Sequence, residues 1–400
     1  MSSPRRRPRP RSPAVKTPLE DDDLLSEILL RLPPRPSSLP RASLVCKRWH
    51  GLASDPGFFR RFRRHHRRSP PLLGLFDKHD VPTFVPTLEA PDRVPPGRFS
   101  LQRRDGDRFM SLGCRHGLVL IVNFTPDQIL VWDPITSGQH RLTIPPGIAA
   151  HAERTIINGA VLRAGAHFQV VLTVADNQDK QRRRALACVY SSETGFWGDL
   201  ISTPLPLGVP RSDHPIFQDF AKVSTLVFTG MPAVLAGNSL YWVLAGNFQG
   251  ILEFDLEKQS LAVIRVPLHM LENGHFWNMR AEGGSLGLLF WTDTSIQLWK
   301  MKTDCAGVAS WALATTIELD KLLSLESQRV SVIILGYAEE NNVLFLWTCG
   351  ILYMVHLESL QFKKLCETRC LSQYHPFESV YTSGTSIGDE HDAADLLQQT

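Results

Sequence analysis

Few residues in this 400-residue chain stand at spacings that could do chemistry. Gly283-Gly284-Ser285-Leu286-Gly287 has the spacing of a nucleophile elbow, in which a strained strand-to-helix turn exposes a serine hydroxyl. Here a polar turn precedes it and an apolar run, Leu288-Leu289-Phe290-Trp291, follows, so the sequence predicts a turn into a strand. Cys366 and Cys370 with His375 have loosely zinc-like spacing but lack a second ligand pair. His65-His66 sits inside an arginine run, where positive charge disfavours a metal. No phosphate loop, dinucleotide fingerprint or carboxylate pair stands out. The expectation is a protein without catalytic residues, metal or cofactor, whose work is binding.

The elements that could position a binding surface fall into two textures. Near the N-terminus, Leu24, Leu25, Ile28, Leu29 and Leu32 recur on one helical face. Glu20, Asp21, Asp22 and Asp23 place negative charge at the start of that helix, Arg31 places positive charge at its end, and Pro33-Pro34 stop it. A second helical stretch is predicted through Leu39, Ala42, Val45, Cys46, Trp49 and Leu52. Asp55-Pro56-Gly57 then turns into Phe58, Phe59 and Phe62. So few short helices make a poor core, and their surplus leucines predict a surface kept for a partner helix, unless the helices simply pack on the rest of the chain.

These residues resemble an F-box. Ile28-Leu29-Leu30-Arg31-Leu32-Pro33 and Leu44-Val45-Cys46-Lys47-Arg48-Trp49 match its two strongest blocks, and Asp55-Pro56-Gly57-Phe58 matches its closing Asp-Pro-x-Phe. The resemblance implies docking to a Skp-family adaptor, and through it to a cullin and a RING protein. Carried over residue by residue, it makes Leu24, Leu25, Ile28, Leu29, Leu32, Pro33, Leu39, Val45, Cys46 and Trp49 the adaptor-facing residues or their support. Some of these must be core of the F-box itself, and the sequence does not sort the two groups.

From about residue 70 short apolar runs alternate with Gly, Pro, Asn and Asp. Leu118–Val122 with Ile129–Trp132 reads as a hairpin. So do 169–175 with 185–191, 239–244 with 250–256, 286–291 with 295–301, and 343–348 with 351–356. Helical periodicity is nearly absent outside 319–325. Recurrent units at intervals of roughly 40–60 residues predict an all-β propeller of about six degenerate blades, with a pair of β-sandwiches as the alternative. Trp132-Asp133-Pro134-Ile135-Thr136-Ser137-Gly138 and Val189-Tyr190-Ser191-Ser192-Glu193-Thr194-Gly195-Phe196-Trp197 resemble segments of the propeller-like domain that follows the F-box in many plant F-box proteins. The fuller kelch signature is not matched. The tryptophans are expected between blades, with Phe196-Trp197 and Phe276-Trp277, read as loop residues, as candidate rim anchors.

The fold expected is therefore α+β and multidomain: a disordered basic tail over 1–17, an F-box over 18–68, the propeller over 69–382 and a disordered tail over 383–400. Residues 1–68 hold 17 Lys/Arg against 6 Asp/Glu, and the remainder hold 26 against 34. Nucleic acid is not expected, because the arginine run 60–68 is interleaved with only one aromatic, Phe62. A signal region and an apolar span of membrane length are both missing from the sequence. Seven scattered cysteines suit reduced thiols in the nucleus or cytoplasm. The resemblance implies a substrate-recognition subunit of an SCF-type ubiquitin ligase that holds an unidentified target protein. The alternative is an F-box scaffold that promotes no degradation.

Overall fold

A computed structural model of the chain describes residues 19, 21–78, 81–125, 127–152, 156–179, 182–206, 225–246, 248–271, 275–292, 294–303, 309–323, 332–368 and 371–381. The two predicted tails lie outside these residues. The chain divides into two compact units, one made of residues 1–68 with 380–400 and the other of residues 69–379. No helix among the described residues is long and apolar enough to cross a membrane.

Among the described residues the first unit is built from four helices: α1 (Asp22–Leu30), α2 (Ser38–Ser43), α3 (Lys47–Ala53) and α4 (Pro56–His65). Asp21 caps α1, its carboxylate accepting from the Asp23 and Leu24 amides at 2.9 and 3.1 Å. Asp55 caps α4 in the same way, and Pro56 takes the first helical position, where its missing N–H costs nothing. The single second helix read from the sequence is in fact two. The chain leaves helical geometry at Cys46 (φ −164°, ψ 169°), and α3 starts again without a side-chain cap. Three-and-four spacing runs through Leu39 to Leu52 regardless of this break, so periodicity could not reveal it. Leu25, Leu29, Leu30, Leu39, Ala42, Phe58, Phe62 and Val380 form the core of the unit. Arg48 ties α3 to the start of α1 through Asp22 (2.6 Å) and the Leu19 carbonyl (2.6 Å).

The second unit is a six-bladed propeller, made of six antiparallel sheets of three to five strands. β1 (Leu72–Asp77) and β2 (Phe84–Pro86) begin it. The second blade is β3 (Phe109–Arg115), β4 (Leu118–Asn123), β5 (Gln128–Trp132) and β6 (Gln139–Thr143). The third is β7 (Asn158–Ala164), β8 (His167–Asp176), β9 (Arg184–Ser191), β10 (Phe196–Trp197) and β11 (Ile201–Pro204). The fourth is β12 (Thr225–Val227), β13 (Val234–Ala236), β14 (Ser239–Gly246), β15 (Gly250–Asp255) and β16 (Ser260–Arg265). The fifth is β17 (His275–Arg280), β18 (Leu286–Trp291), β19 (Ser295–Thr303) and β20 (Ala309–Glu318). The sixth is β21 (Ile333–Ala338), β22 (Val343–Thr348), β23 (Ile351–His356) and β24 (Phe362–Glu367). Finally β25 (Tyr374–Glu378) returns to pair with β1, so the first blade mixes the two ends of the unit.

Innermost strands of neighbouring blades touch one another: β25 meets β21 and β3, β3 meets β7, and β13 meets β17. The second strand of a blade is covered on both faces, which is why β4 and β18 are buried at every position and read as unbroken apolar runs. Outer strands such as β16 and β24 are half exposed and alternate. His116 (φ 53°) and Gly117 (φ 77°) make the tight turn from β3 to β4, the geometry that matches strand twist in a two-residue hairpin. Gly283 and Gly284 (φ 83° and 79°) turn β17 into β18. The apparent nucleophile elbow is that hairpin turn, and a strand rather than a helix follows it.

The Trp-Asp-Pro segment has a plain physical job. The Asp133 carboxylate accepts from the Ile135 and Thr136 amides (3.0 and 3.3 Å) and closes the β5–β6 turn, while its other oxygen takes the Arg163 guanidinium of the next blade at 2.6 Å. Asp255 closes the equivalent turn of the fourth blade through the Glu257 and Lys258 amides. Trp132 and Trp242 are fully buried. The Phe276-Trp277 pair is not a loop anchor: both residues lie on β17 and are buried. Trp197 is also on a strand, and its indole donates to the Thr143 carbonyl at 3.0 Å. Phe196 beside it is 76% exposed.

Candidate functional site

The structure sorts the ten candidate docking residues. Leu25, Leu29 and Leu39 are buried inside the helical unit, and Leu32 and Trp49 are partly buried against the same core. Leu24, Ile28, Pro33, Val45 and Cys46 are exposed. On α1 the division follows helical geometry: Leu25 and Leu29 point inward, while Leu24 and Ile28, one turn apart, present the outward face. The most exposed large apolar side chain among the described residues is one the docking set lacked. Leu44 is 83% exposed and its neighbour Val45 62%, both on the connection between α2 and α3. Its signal in the sequence was only that it opens the second block; its exposure depends on the break at Cys46.

Two adjacent large aliphatic residues held in water offer apolar area to a partner, each contributing about 1.5–3 kcal/mol to association when it becomes buried. The backbone there is pinned. The Leu44 and Val45 amides donate to the Arg41 and Ala42 carbonyls at 3.3 and 3.2 Å, so the pair is displayed on a fixed turn. Cys46, also exposed, carries a free thiol. Chemically the surface offers apolar area and no nucleophile–base pair.

In the propeller, charged side chains gather at the ends of the inner strands. Arg115, at the end of β3, pairs with Glu339, just after β21, and donates to the Ala233 carbonyl at 2.6 Å. The Leu235 amide donates to the other Glu339 oxygen at 3.2 Å. Arg280, at the end of β17, binds Glu340 at 2.8 Å and the Glu339 carbonyl at 3.0 Å. Glu378, at the end of β25, accepts from the Asn341 amide and side chain at 2.8 and 2.7 Å. Five blades are thus cross-linked at one level. Burial pushes the Glu339 carboxyl upward, and it pushes Glu378 up to about 7 against the opposing Asn341 hydrogen bonds. These groups hydrogen-bond one another, which makes them a clasp for the ring.

Among the described residues no three His, Cys, Asp or Glu side chains gather as metal ligands. His375 is buried on β25, with its Nε2 3.1 Å from the Ser111 carbonyl, and Cys370 lies outside the described residues. His66 sets its Nε2 2.9 Å from the Leu30 carbonyl at the end of α1.

Comparison with known proteins agrees with this two-part layout. Residues 22–65 match a family model described as F-box-like, and residues 111–382 match one described as F-box protein AT5G49610-like, beta-propeller. F-box protein CPR1 of Arabidopsis thaliana is 25% identical over 321 residues, covering 75% of this chain and 73% of that protein. F-box/kelch-repeat protein At3g17530 of the same plant is 22% identical over 280 residues, covering 65% of this chain and 64% of that one. Among solved structures, the Cps50 (Swd1) beta-propeller domain of Myceliophteria thermophila superposes with a TM-score of 0.34 at 11% identity, over 67% of this chain and 89% of that chain. With its helical F-box and its six blades, the chain belongs to the family of F-box proteins with an AT5G49610-like beta-propeller.

Proposed function

We propose that this protein is a substrate-recognition subunit of an SCF-type ubiquitin ligase. Its F-box docks to a Skp-family adaptor, and through it to a cullin and a RING protein, while the propeller holds a target protein. The observation that carries the reading is the exposed Leu44–Val45 pair on its pinned turn, with Leu24 and Ile28 outward on α1. Those four, with Pro33 and Cys46, are the contact residues in this reading; Leu25, Leu29 and Leu39 support them from within. The chain itself catalyses nothing in this mechanism. Tethering raises the local concentration of target lysines around the ubiquitin-charged enzyme. The free thiols of Cys46 and Cys349 suit the reducing nucleus or cytoplasm.

The test is co-expression with a Skp-family adaptor, comparing the native chain with Leu44→Asp/Val45→Asp. A stable complex that the substitutions abolish, with the propeller still folded, supports docking; an unaffected complex refutes this surface. A co-purifying protein that gains ubiquitin only with the native chain distinguishes a receptor from an F-box scaffold.

A further inference from the structure

Helix α4 buries Phe58 and Phe62 and turns arginines outward. Arg61 is held by Glu27 at 3.0 Å, and Arg63 lies over the Phe59 ring at 5.8 Å. Arg60 and Arg64, one helical turn apart, and Arg68 in the turn that follows are exposed and form no ion pair with a described residue. They make a cationic stripe without an acidic ion-pair partner among the described residues. Like charges at this spacing repel, so an anionic cover would stabilise the helix.

The same core fixes where the other end of the chain emerges. Val380 is buried in one cluster with Phe58 and Phe62, on the inner side of that very helix. Residues 382–400 follow it and lie outside the described residues. Their sequence holds Asp389, Glu390, Asp392 and Asp395 and no lysine or arginine. Asp389 stands nine positions beyond Val380, a reach of up to about 30 Å, whereas the ten residues of α4 span about 15 Å.

We propose that the acidic segment 389–395 is the occupant of the Arg60–Arg64–Arg68 stripe. Each exposed ion pair is weak on its own. The covalent tether at Val380 supplies an effective concentration in the millimolar range, at which a few such pairs suffice. The interaction is therefore intramolecular and sensitive to salt. The arginines at 5, 6, 7, 9 and 11 are the competing site for the same carboxylates.

The experiment uses the full chain with Arg5, Arg6, Arg7, Arg9 and Arg11 changed to Gln, and heparin as the polyanion probe. In that background Asp389→Asn/Glu390→Gln/Asp392→Asn/Asp395→Asn should tighten heparin binding about tenfold at low salt, the equivalent of a few weak pairs released together. Adding Arg60→Gln/Arg64→Gln/Arg68→Gln should remove the gain. These arginines are exposed, so the fold is spared, and an unchanged unfolding transition verifies that. Unchanged heparin affinity on neutralising the carboxylates overturns the proposal, because the stripe was then already open. A gain that survives loss of the three arginines overturns it too, because the segment then covers something else.

Discussion

The Arg115 guanidinium donates to the Glu339 carboxylate across a sequence separation of 224 residues, joining the second blade to the sixth. Both side chains are about nine-tenths buried. Such a pair gives weak net stabilisation when intact, since desolvation offsets the attraction, but removing one partner strands a buried charge. Arg115→Ala should therefore destabilise the propeller by about 3–5 kcal/mol. Replacing both residues, Arg115→Met with Glu339→Leu, should cost clearly less than the single change. Chemical unfolding followed by tryptophan fluorescence measures both; equal losses would show that the charge itself is unimportant.

Glu378 gives that clasp a pH dependence. Burial lifts its carboxyl from 4.5 to about 7, and Glu339 moves in the same direction. Between those values the folded state binds more protons than the unfolded chain. Stability contributed by this group is complete below about pH 4.5 and is lost as pH rises through 7. The lost amount is on the order of 3 kcal/mol at most, at 1.36 kcal/mol per unit. The difference in unfolding free energy between pH 5 and pH 8 should shrink in Glu378→Gln, which keeps an oxygen to accept from Asn341. An identical difference in both proteins would place the pH response elsewhere.

Much of the fold was legible because local physics wrote it. The second strands of the blades are covered on both faces, so Leu118–Val122 and Leu286–Trp291 read as continuous apolar runs between turn residues. Asp133 and Asp255 announced their turns because a carboxylate there accepts from the amides two and three residues on. What could not be read was non-local. The pairing of β1 with β25 leaves no mark in either segment. Phe276-Trp277 looked like a loop because its burial comes from neighbouring strands. At the proposed docking surface, helical spacing gave the leucines but not which of them face inward. Leu29 and Ile28 are adjacent and chemically alike, and only the position of α4 and Val380 assigns the core to Leu29.

That assignment yields a contrast between stability and docking. Leu29 is fully buried, so Leu29→Ala should destabilise the helical unit by about 2–5 kcal/mol through lost contacts and a cavity. Leu44→Asp and Val45→Asp replace exposed side chains and should shift stability by no more than about 0.5 kcal/mol. Adaptor capture should nevertheless fail in the latter pair, because docking would bury a carboxylate without a partner. Thermal unfolding and a pull-down with the adaptor, run on the same preparations, separate the two effects. An unfolded Leu44→Asp/Val45→Asp protein would mean that the pair is core after all.

The closing blade sets where the propeller is most vulnerable. Phe377 on β25 is fully buried, with its ring 5.2 Å from Phe76 on β1 and 5.3 Å from Phe99. This aromatic cluster joins the first strand of the unit to its last, and β25 is also the strand that touches both neighbouring blades. Phe377→Ala should cost about 3–5 kcal/mol, as for other buried aromatics. The loss should be felt by the whole ring rather than one blade, since an opened ring exposes the inner edges of β3 and β21. Limited proteolysis distinguishes the cases: cleavage in several blades at once is expected, whereas cuts confined to residues 69–100 would show that the first blade opens alone and the other five stand without it.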